Sequence, residues 1–182
     1  MSTSTITPTG TWNVDPMHSR LGFAVTHLGI STVRGSFKDF EGTLEVGDDV
    51  SSAKAHGTVQ VNSIDTGQPD RDGHLLNSDF FDGEKYPEIT FESTSIEGTG
   101  DNQVKVSGNL TIMGTTKEIE LAGAIGGIET DPFGNERVGL EVHGEVDRTD
   151  FGMKFNIPLD SGAFTMSEKV QLTLDISAIK AA

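Results

Sequence analysis

Apolar and polar side chains alternate with a period of two residues over long stretches of this chain. Four runs carry the pattern most clearly, at 104–112, 119–125, 138–146 and 170–178. Because successive side chains of a β-strand point to opposite faces, this period predicts antiparallel strands with one dry and one wet face. Four such runs in one small chain need a shared interior.

Further segments show the strand pattern, which gives eight candidate strands after a short N-terminal piece. The piece is 11–15, and the strands are 20–28, 32–46, 53–64, 88–96, 103–113, 116–126, 136–148 and 169–179. Turn-forming residues separate several neighbours, and short links between strands are typical of a meander. We therefore predict an all-β fold, an eight-stranded antiparallel up-and-down barrel that is large enough to hold a ligand.

Two segments depart from regular alternation. The apolar face of 32–46 shifts by one residue after Phe37, which predicts a bulge or sharp bend near Lys38 and Asp39. Leucines and phenylalanines break the alternation in 70–81 and predict a short helical insert. This insert would cover one end of the barrel or seal against its wall.

Glycines occupy positions on the apolar strand faces at Gly57, Gly108, Gly123 and Gly144. Strand interiors normally carry branched or aromatic residues, so these glycines need a reason. Glycine lets strongly coiled strands bend at barrel corners, and it also leaves the interior unfilled for a long apolar guest. The two explanations are compatible, and the sequence leaves both open.

Composition narrows the class of protein. The length of 182 residues fits one domain, which we place at 11–182 after a flexible N-terminus at 1–10. With 28 acidic against 13 basic side chains, the formal charge of −15 disfavours nucleic acid and anionic membranes as partners. The chain has no cysteine, no leader-like segment and no run of roughly 20 apolar residues. We expect a soluble, cytoplasmic protein without a transmembrane segment.

The five histidines separate by their position in the alternation. His56 and His143 fall on polar strand faces, where we expect them to meet solvent. His27 follows the apolar face of its strand and should point inward, either as a core histidine with a polar partner or as an anchor for a ligand head group. His18 precedes that strand, and His74 lies in the insert.

The sequence offers little support for metal binding or catalysis. Cysteine is absent, and no histidine pair has an established zinc spacing. Ser19 next to His18 does not form a nucleophile elbow, and the glycine cluster 123–127 lacks the lysine of a phosphate loop. We expect no metal, no cofactor and no catalytic residues.

Several motifs, taken together and in this order, resemble those of the YceI-like polyisoprenoid-binding family. They are Asp15-x-x-His18-Ser19, Phe23-x-Val25-x-His27, Gly35-x-Phe37, Asp70-Arg71-Asp72-Gly73-His74-Leu75, Phe80-Phe81-Asp82, Lys85-Tyr86-Pro87, Thr90-Phe91, Gly108-x-Leu110-Thr111-Ile112-x-Gly114-x-Thr116-Lys117 and Arg148-x-Asp150-Phe151-Gly152-Met153. The resemblance runs from Trp12 to the last strand. It implies a lipocalin-like barrel that holds a long isoprenoid or similar amphiphile, and it suggests a homodimer, which nothing in these residues demands. Family members are often exported with a leader, which this sequence lacks.

The strand pattern and the family resemblance together give a set of candidate ligand-binding residues. The apolar lining is predicted to comprise Phe23, Val25, Phe37, Leu44, Val59, Val61, Phe91, Leu110, Ile112, Leu140 and Val142. The candidates for contact with a polar or anionic head group at one mouth are His18, His27, Arg71, His74 and Arg148. For each apolar residue the alternative is ordinary barrel core, and for Arg71 and Arg148 it is an ion pair with Asp72 or Asp150.

The leading hypothesis is a non-catalytic protein that binds and carries or sequesters an isoprenoid such as a polyprenyl phosphate or a quinone. The first alternative is an enzyme that acts on a similar apolar substrate, with His27 and His18 as acid–base groups. The second is an interaction or stress-response module whose cavity has no function.

Overall fold

The computed structural model describes residues 6–182 and contains eleven strands and one α-helix within them. The strands are β1 (Gly10–Val14), β2 (Arg20–His27), β3 (Ser31–Phe37), β4 (Phe40–Val46), β5 (Lys54–Gln60), β6 (Ile64–Asp65), β7 (Glu88–Gly100), β8 (Gln103–Ile112), β9 (Thr115–Thr130), β10 (Glu136–Asp147) and β11 (Lys169–Lys180). The helix α1 is Pro69–Leu75, and 3₁₀ turns cover Val50–Ser52, Val61–Ser63 and Arg148–Phe151. Residues 1–5 of the predicted flexible N-terminus lie outside the described residues.

All strand pairs are antiparallel, and the sheet closes on itself. The order around the ring is β1, β4, β5, β7, β8, β9, β10 and β11, and β11 pairs again with β1. β2 and β3 complete the wall further along the barrel. β2 pairs with β11 at residues 171–175 of β11, and β3 pairs with β2. The predicted antiparallel eight-stranded barrel is therefore confirmed.

Two of the eight barrel strands are interrupted in the middle. β1 pairs with the end of β11, at Val14 with Ala178, and β2 resumes along the same edge at Arg20 with Asp175. β3 and β4 form the neighbouring long strand and are separated by Lys38 and Asp39. The bend predicted from the shift of the apolar face thus lies where the structure breaks this strand.

One end of the barrel is closed by a packed core. Trp12 and Val138 have no exposed surface there, and Val104, Ile125 and Ala178 pack beside them. The Trp12 indole N–H donates a hydrogen bond of 2.7 Å to the carbonyl of Pro8, which holds the segment before β1 against the barrel. We call this the sealed end.

The predicted helical insert is confirmed as α1 followed by turns. Gln68 caps α1, since its side-chain oxygen accepts hydrogen bonds from the backbone N–H groups of Asp70 and Arg71. Phe80, which follows the helix, is buried. Within residues 6–182, the helices are too short to cross a lipid bilayer.

Three of the four inward glycines permit a close approach between strands. A Cβ atom at Gly123 would collide with the backbone carbonyl of Glu141 on the neighbouring strand, and one at Gly144 would lie 2.7 Å from the carbonyl oxygen of Glu120. At Gly108 the collision is with the Phe91 ring. Coiling of the barrel explains these three, while Gly57 alone of the four lines the interior cavity.

Gly123 and Gly126 on β9 provide a matched test of this explanation. We expect Gly123→Ala to lower the free energy of unfolding by about 1–3 kcal/mol, because the strands must separate to admit the methyl group. Gly126→Ala should be neutral or stabilise by up to ~1 kcal/mol, since its Cβ would meet nothing closer than 3.7 Å. Urea denaturation checks both values, and equal effects would contradict the close-approach explanation.

A network of charges fastens the β1–β2 connection to the β9–β10 turn. Arg137 donates from Nη1 to Asp15 Oδ2 and from Nε to Asp131 Oδ2, both at 2.8 Å. His18 Nδ1 lies 2.7 Å from the same Asp15 oxygen. The Arg137 hydrogen bond, helped by His18, lowers the pKa of Asp15 to about 2, and Arg137 also holds the pKa of Asp131 below its ordinary value.

These lowered pKa values make stability depend on pH in acid. A carboxyl whose folded pKa is depressed stabilises the fold above its unfolded pKa, near 3.8 for Asp15, and this contribution is lost as pH falls through about 2. We expect Arg137→Met to flatten the pH dependence of the unfolding free energy between pH 2 and 4 and to raise the pH of acid unfolding. Urea titrations from pH 2 to 7 measure both quantities.

Lys105→Met is the control for this prediction. Lys105 pairs with Glu120 at 3.1 Å, but both side chains are about half exposed. Its removal should leave the acid profile unchanged, because exposed pairs contribute little. If the unfolding free energy of Arg137→Met depended on pH in the same way as that of Lys105→Met, the stabilising role of the charge network would be contradicted.

Candidate functional site

The interior of the barrel contains a cavity of about 670 Å³ whose wall is almost entirely apolar. Its size falls within the roughly 300–1,000 Å³ of typical ligand pockets. Along β11 the wall runs from Val170 to Ala178, which is about 26 Å of strand at ~3.3 Å per residue. The cavity wall thus extends along most of the length of β11.

Inward side chains in the middle of the barrel show that the cavity is open space. Leu172 and Leu174 lie on the inner face of β11 and line the cavity, yet both are only half-buried. Val138 at the sealed end has no exposed surface. Since the outer face of the barrel cannot expose inward side chains, the accessible surface of these leucines faces the cavity.

Ten of the eleven apolar residues predicted to line the interior lie on the cavity wall. They are Phe23, Val25, Phe37, Leu44, Val59, Phe91, Leu110, Ile112, Leu140 and Val142. Val61 does not lie on the wall: it belongs to the 3₁₀ turn after β5 and is 1% exposed within a core cluster. The strand pattern ends at Gln60, so the alternation no longer predicts where Val61 points.

Four of the five polar candidates gather at the end of the cavity opposite the sealed end. His27 comes from β2, Arg71 and His74 from α1, and Arg148 from the 3₁₀ turn after β10. Ile157, which also lines the cavity here, is 52% exposed. These five residues surround the opening, which we call the mouth.

Arg148 is 5% exposed and makes no ion pair with a carboxylate among the described residues. Its Nε donates to the Ser167 carbonyl at 2.9 Å, and its Nη1 donates to the carbonyls of Met153 and Phe155 at 2.7 and 2.9 Å. Burial lowers the pKa of the guanidinium. The considered ion pair with Asp150 is absent, and Arg148 instead ties the 152–168 segment over the mouth.

Arg71 and His74 place polar atoms at the edge of the mouth. Arg71 donates from Nε to Thr66 Oγ1 and from Nη2 to the Thr66 carbonyl, both at 2.7 Å, and Asp72 likewise bonds Thr66 rather than Arg71. His74 Nε2 lies 2.9 Å from Asp79 Oδ2. The Nη1 group of Arg71 makes no hydrogen bond within the described part of the chain.

Aromatic rings connect α1 to the 152–168 segment. The His74 ring meets Phe80 and Phe155 edge-on, with centroids 5.1 and 5.3 Å apart. Phe80 and Phe155 also contact each other at 5.3 Å. The three rings form a cluster beside the mouth, which adds apolar wall above the strands.

The chain matches the family model described as the YceI-like domain over residues 12–178. Protein YceI of Salmonella arizonae is 37% identical over 164 residues, which cover 90% of this chain and 82% of that protein. This chain belongs to the YceI-like family.

Several solved structures share the fold of this chain. The YCEI protein of Campylobacter jejuni is 30% identical, with a TM-score of 0.71 over 86% of this chain and 90% of that one. BcnA of Burkholderia cenocepacia has a TM-score of 0.77 at 21% identity, covering 90% and 98% of the two chains. A polyisoprenoid binding domain from Saccharophagus degradans has a TM-score of 0.72 at 15% identity, covering 93% and 98%.

In this YceI-like protein, His18 lies away from the cavity. It is exposed in the β1–β2 connection and bonds Asp15, because the interruption between β1 and β2 turns the intervening residues outward. His27 and His18 therefore do not form the acid–base pair considered from the sequence. His56 and His143 are exposed. No cluster of three or more metal-ligating side chains occurs within 6–182.

Sequence reasoning missed the side chains that close the cavity around the mouth. Those from α1 and the segments beyond it are Leu75, Phe80, Phe81, Phe151, Met153, Phe155, Ile157 and Met166. The density of leucine and phenylalanine in 70–81 was a signal for the first three. In 152–168 apolar and polar residues do not alternate with a regular period, so inward and outward residues could not be told apart from sequence.

Proposed function

We propose that this protein binds a long isoprenoid-type lipid inside the barrel and carries or sequesters it without catalysis. The observation that carries the proposal is the extended, largely apolar and unfilled cavity that is sealed at one end and has Arg71, His74 and Arg148 at the other. A polyprenyl chain has the matching form, since its apolar tail is long and its polar group is terminal.

The physical driving force is removal of the tail from water. Each Å² of apolar surface buried contributes roughly 25 cal/mol, so a tail of several isoprene units gains a large free energy in a dry cavity. The inner side chains that face open space would gain contacts with the same tail. The tail would lie toward Leu44 and Val104, and the head group would remain near His27 and Arg71.

The basic character of the mouth favours a polar or anionic head group. The side chains of His27, Arg71, His74 and Arg148 are donors or potential cations, and Glu41, the acidic residue of the described wall, lies on β4. Polyprenyl phosphates and quinones both offer oxygen acceptors to such donors. The polyisoprenoid binding domain of the structural neighbour is consistent with this ligand class.

A catalytic role has less support in the geometry. His27 is the histidine on a strand that lines the cavity near the mouth, and the described residues place no second titratable group in hydrogen-bond contact with its ring. General acid–base chemistry requires such groups within reach of the same substrate. Binding therefore accounts for the site better than turnover does.

Native mass spectrometry of freshly purified protein, followed by organic extraction, tests the proposal directly. We expect one isoprenoid-type lipid per chain and its identification in the extract. A barrel that arrives empty and takes up neither an added polyprenyl phosphate nor an added polyprenyl quinone would refute the proposal.

Blocking the cavity should remove binding without unfolding the barrel. We expect Leu174→Trp to weaken binding of a polyprenyl quinone at least tenfold, or about 1.4 kcal/mol, because the indole would occupy space that the tail needs. Thr173→Trp is the matched control, since residue 173 is exposed on the outer face of the same strand. Titration by ligand fluorescence or calorimetry measures both. Equal affinities for the two variants would place the ligand outside the barrel.

Arg71 should discriminate between head groups. We expect Arg71→Gln to weaken binding of a polyprenyl phosphate roughly three- to tenfold, because one charge-assisted hydrogen bond is lost, and to leave the uncharged polyprenol unaffected. Arg34→Gln removes the same charge from an exposed position on β3 and serves as the control. Loss of alcohol and phosphate binding in parallel would show that Arg71 acts on the fold of α1 instead.

A further inference from the structure

We propose that the rim of the mouth is a contact surface for a neutral lipid bilayer, through which the isoprenoid enters and leaves the cavity. The juxtaposition that carries this inference is a set of exposed apolar side chains that two bonded loops bring around the opening. The inference rests on the proposed function, because it concerns how the same ligand reaches the same site.

Four large apolar side chains remain exposed at this end of the barrel. Leu28 and Ile30 lie at the tip of the β2–β3 hairpin and are 37% and 84% exposed, while Ile157 and Phe164 of the 152–168 segment are 52% and 55% exposed. Isolated exposed apolar residues are ordinary, but a group of them beside an apolar cavity indicates an interaction surface. We call these four residues the rim.

Backbone hydrogen bonds hold the two parts of the rim together. The Leu28 N–H donates to the Thr165 carbonyl at 2.8 Å, and the Ser167 N–H donates to the Thr26 carbonyl at 3.0 Å. A β-bridge joins His27 to Met166. The segment also pairs with itself, through a second bridge between Pro158 and Phe164. The rim is therefore one bonded surface and not two independent loops.

The rim is continuous with the cavity wall. His27, Ile157, Thr165 and Met166 line the cavity while their neighbours Leu28 and Phe164 face outward. A lipid tail that left a bilayer through this surface would pass from one apolar environment to another. A mouth with a polar rim would instead force the tail through water, at a cost proportional to its apolar area.

Charge selects the kind of lipid surface. Residues 27–33 contain no acidic or basic side chain apart from His27, and 155–167 contain only Asp160, in a chain of formal charge −15. An uncharged rim on an acidic protein suits a zwitterionic surface. An anionic bilayer would be attracted by Arg71 at the mouth, but it would repel the acidic side chains of the remaining protein within a Debye length of about 8–10 Å. A second copy of the chain would bring together two proteins that each carry a formal charge of −15.

Vesicle flotation tests the contact itself. Wild-type protein should float with phosphatidylcholine vesicles, and Ile30→Ser combined with Phe164→Ser should reduce the bound fraction at least tenfold. Phe133→Ser is the matched control, because Phe133 is 89% exposed in the β9–β10 turn at the sealed end. The single variant Ile30→Ser should retain the wild-type melting temperature and still bind less, which separates docking from folding. Flotation unaffected by the rim substitutions would overturn the inference.

Transfer kinetics separate this inference from the proposed function. A polyprenyl quinone in phosphatidylcholine vesicles should move to the double variant at least tenfold more slowly than to wild type, while the affinity for the same quinone added from ethanol stays unchanged. Equal transfer rates would refute docking through the rim but leave lipid binding intact. If wild type bound neither the quinone nor a polyprenyl phosphate from ethanol, the proposed function would fail, and flotation would still decide whether the rim meets a bilayer.

Sedimentation equilibrium tests whether a second copy of the chain, and not a bilayer, binds at the rim. Wild type and the double variant should have the same oligomeric state if the rim meets lipid. A change from dimer to monomer in the double variant would identify the rim as an interface between copies of the chain and overturn the inference. Stronger flotation with phosphatidylglycerol than with phosphatidylcholine would overturn the choice of a neutral surface.

Discussion

Closure of the sheet through β11 is the constraint on which the rest of the structure depends. β10 pairs with this strand along its whole length, and on the other edge β1 and β2 share it. One edge that serves two strands requires an interruption between them, and the neighbouring β3–β4 strand is interrupted as well. Closure leaves few unpaired strand edges and produces an interior that period-two alternation makes apolar on every strand. The cavity, the mouth and the sealed end are all consequences of this closed arrangement of strands.

The features that sequence could predict are those that alternation determines directly. The eight strands of the barrel, the bend near Lys38 and the inward position of His27 all follow from a face that either continues or shifts by one residue. The prediction failed where the period stops. Val61 sits in a 3₁₀ turn, and His18 lies in the interruption between β1 and β2, so neither side chain is oriented by a pleated strand.

The role of the inward glycines could not be decided from sequence for a similar reason. A missing side chain can leave space for a ligand or for another strand, and the alternation is identical in the two cases. Contact with the neighbouring strand decides between them, since its backbone carbonyls occupy the space beside Gly123 and Gly144. The cavity instead owes its volume to ordinary apolar side chains, such as Leu172 and Leu174, that do not meet across the barrel axis.

The two ends of the barrel differ in the partners that hydrogen-bond their backbone groups. This difference determines which end of the cavity is polar. At the sealed end, strand ladders and the Trp12 indole leave apolar side chains packed against one another. At the mouth, the 152–168 segment has two isolated β-bridges in place of a continuous strand ladder. The buried Arg148 adds hydrogen bonds to three of its carbonyl oxygens. A buried cation that makes no ion pair is tolerated where its donors are largely satisfied and the rest of the group meets a polar opening. Arg148 thus both fixes the segment and contributes a polar group to this end of the cavity, so the architecture itself favours a ligand that enters with its tail first.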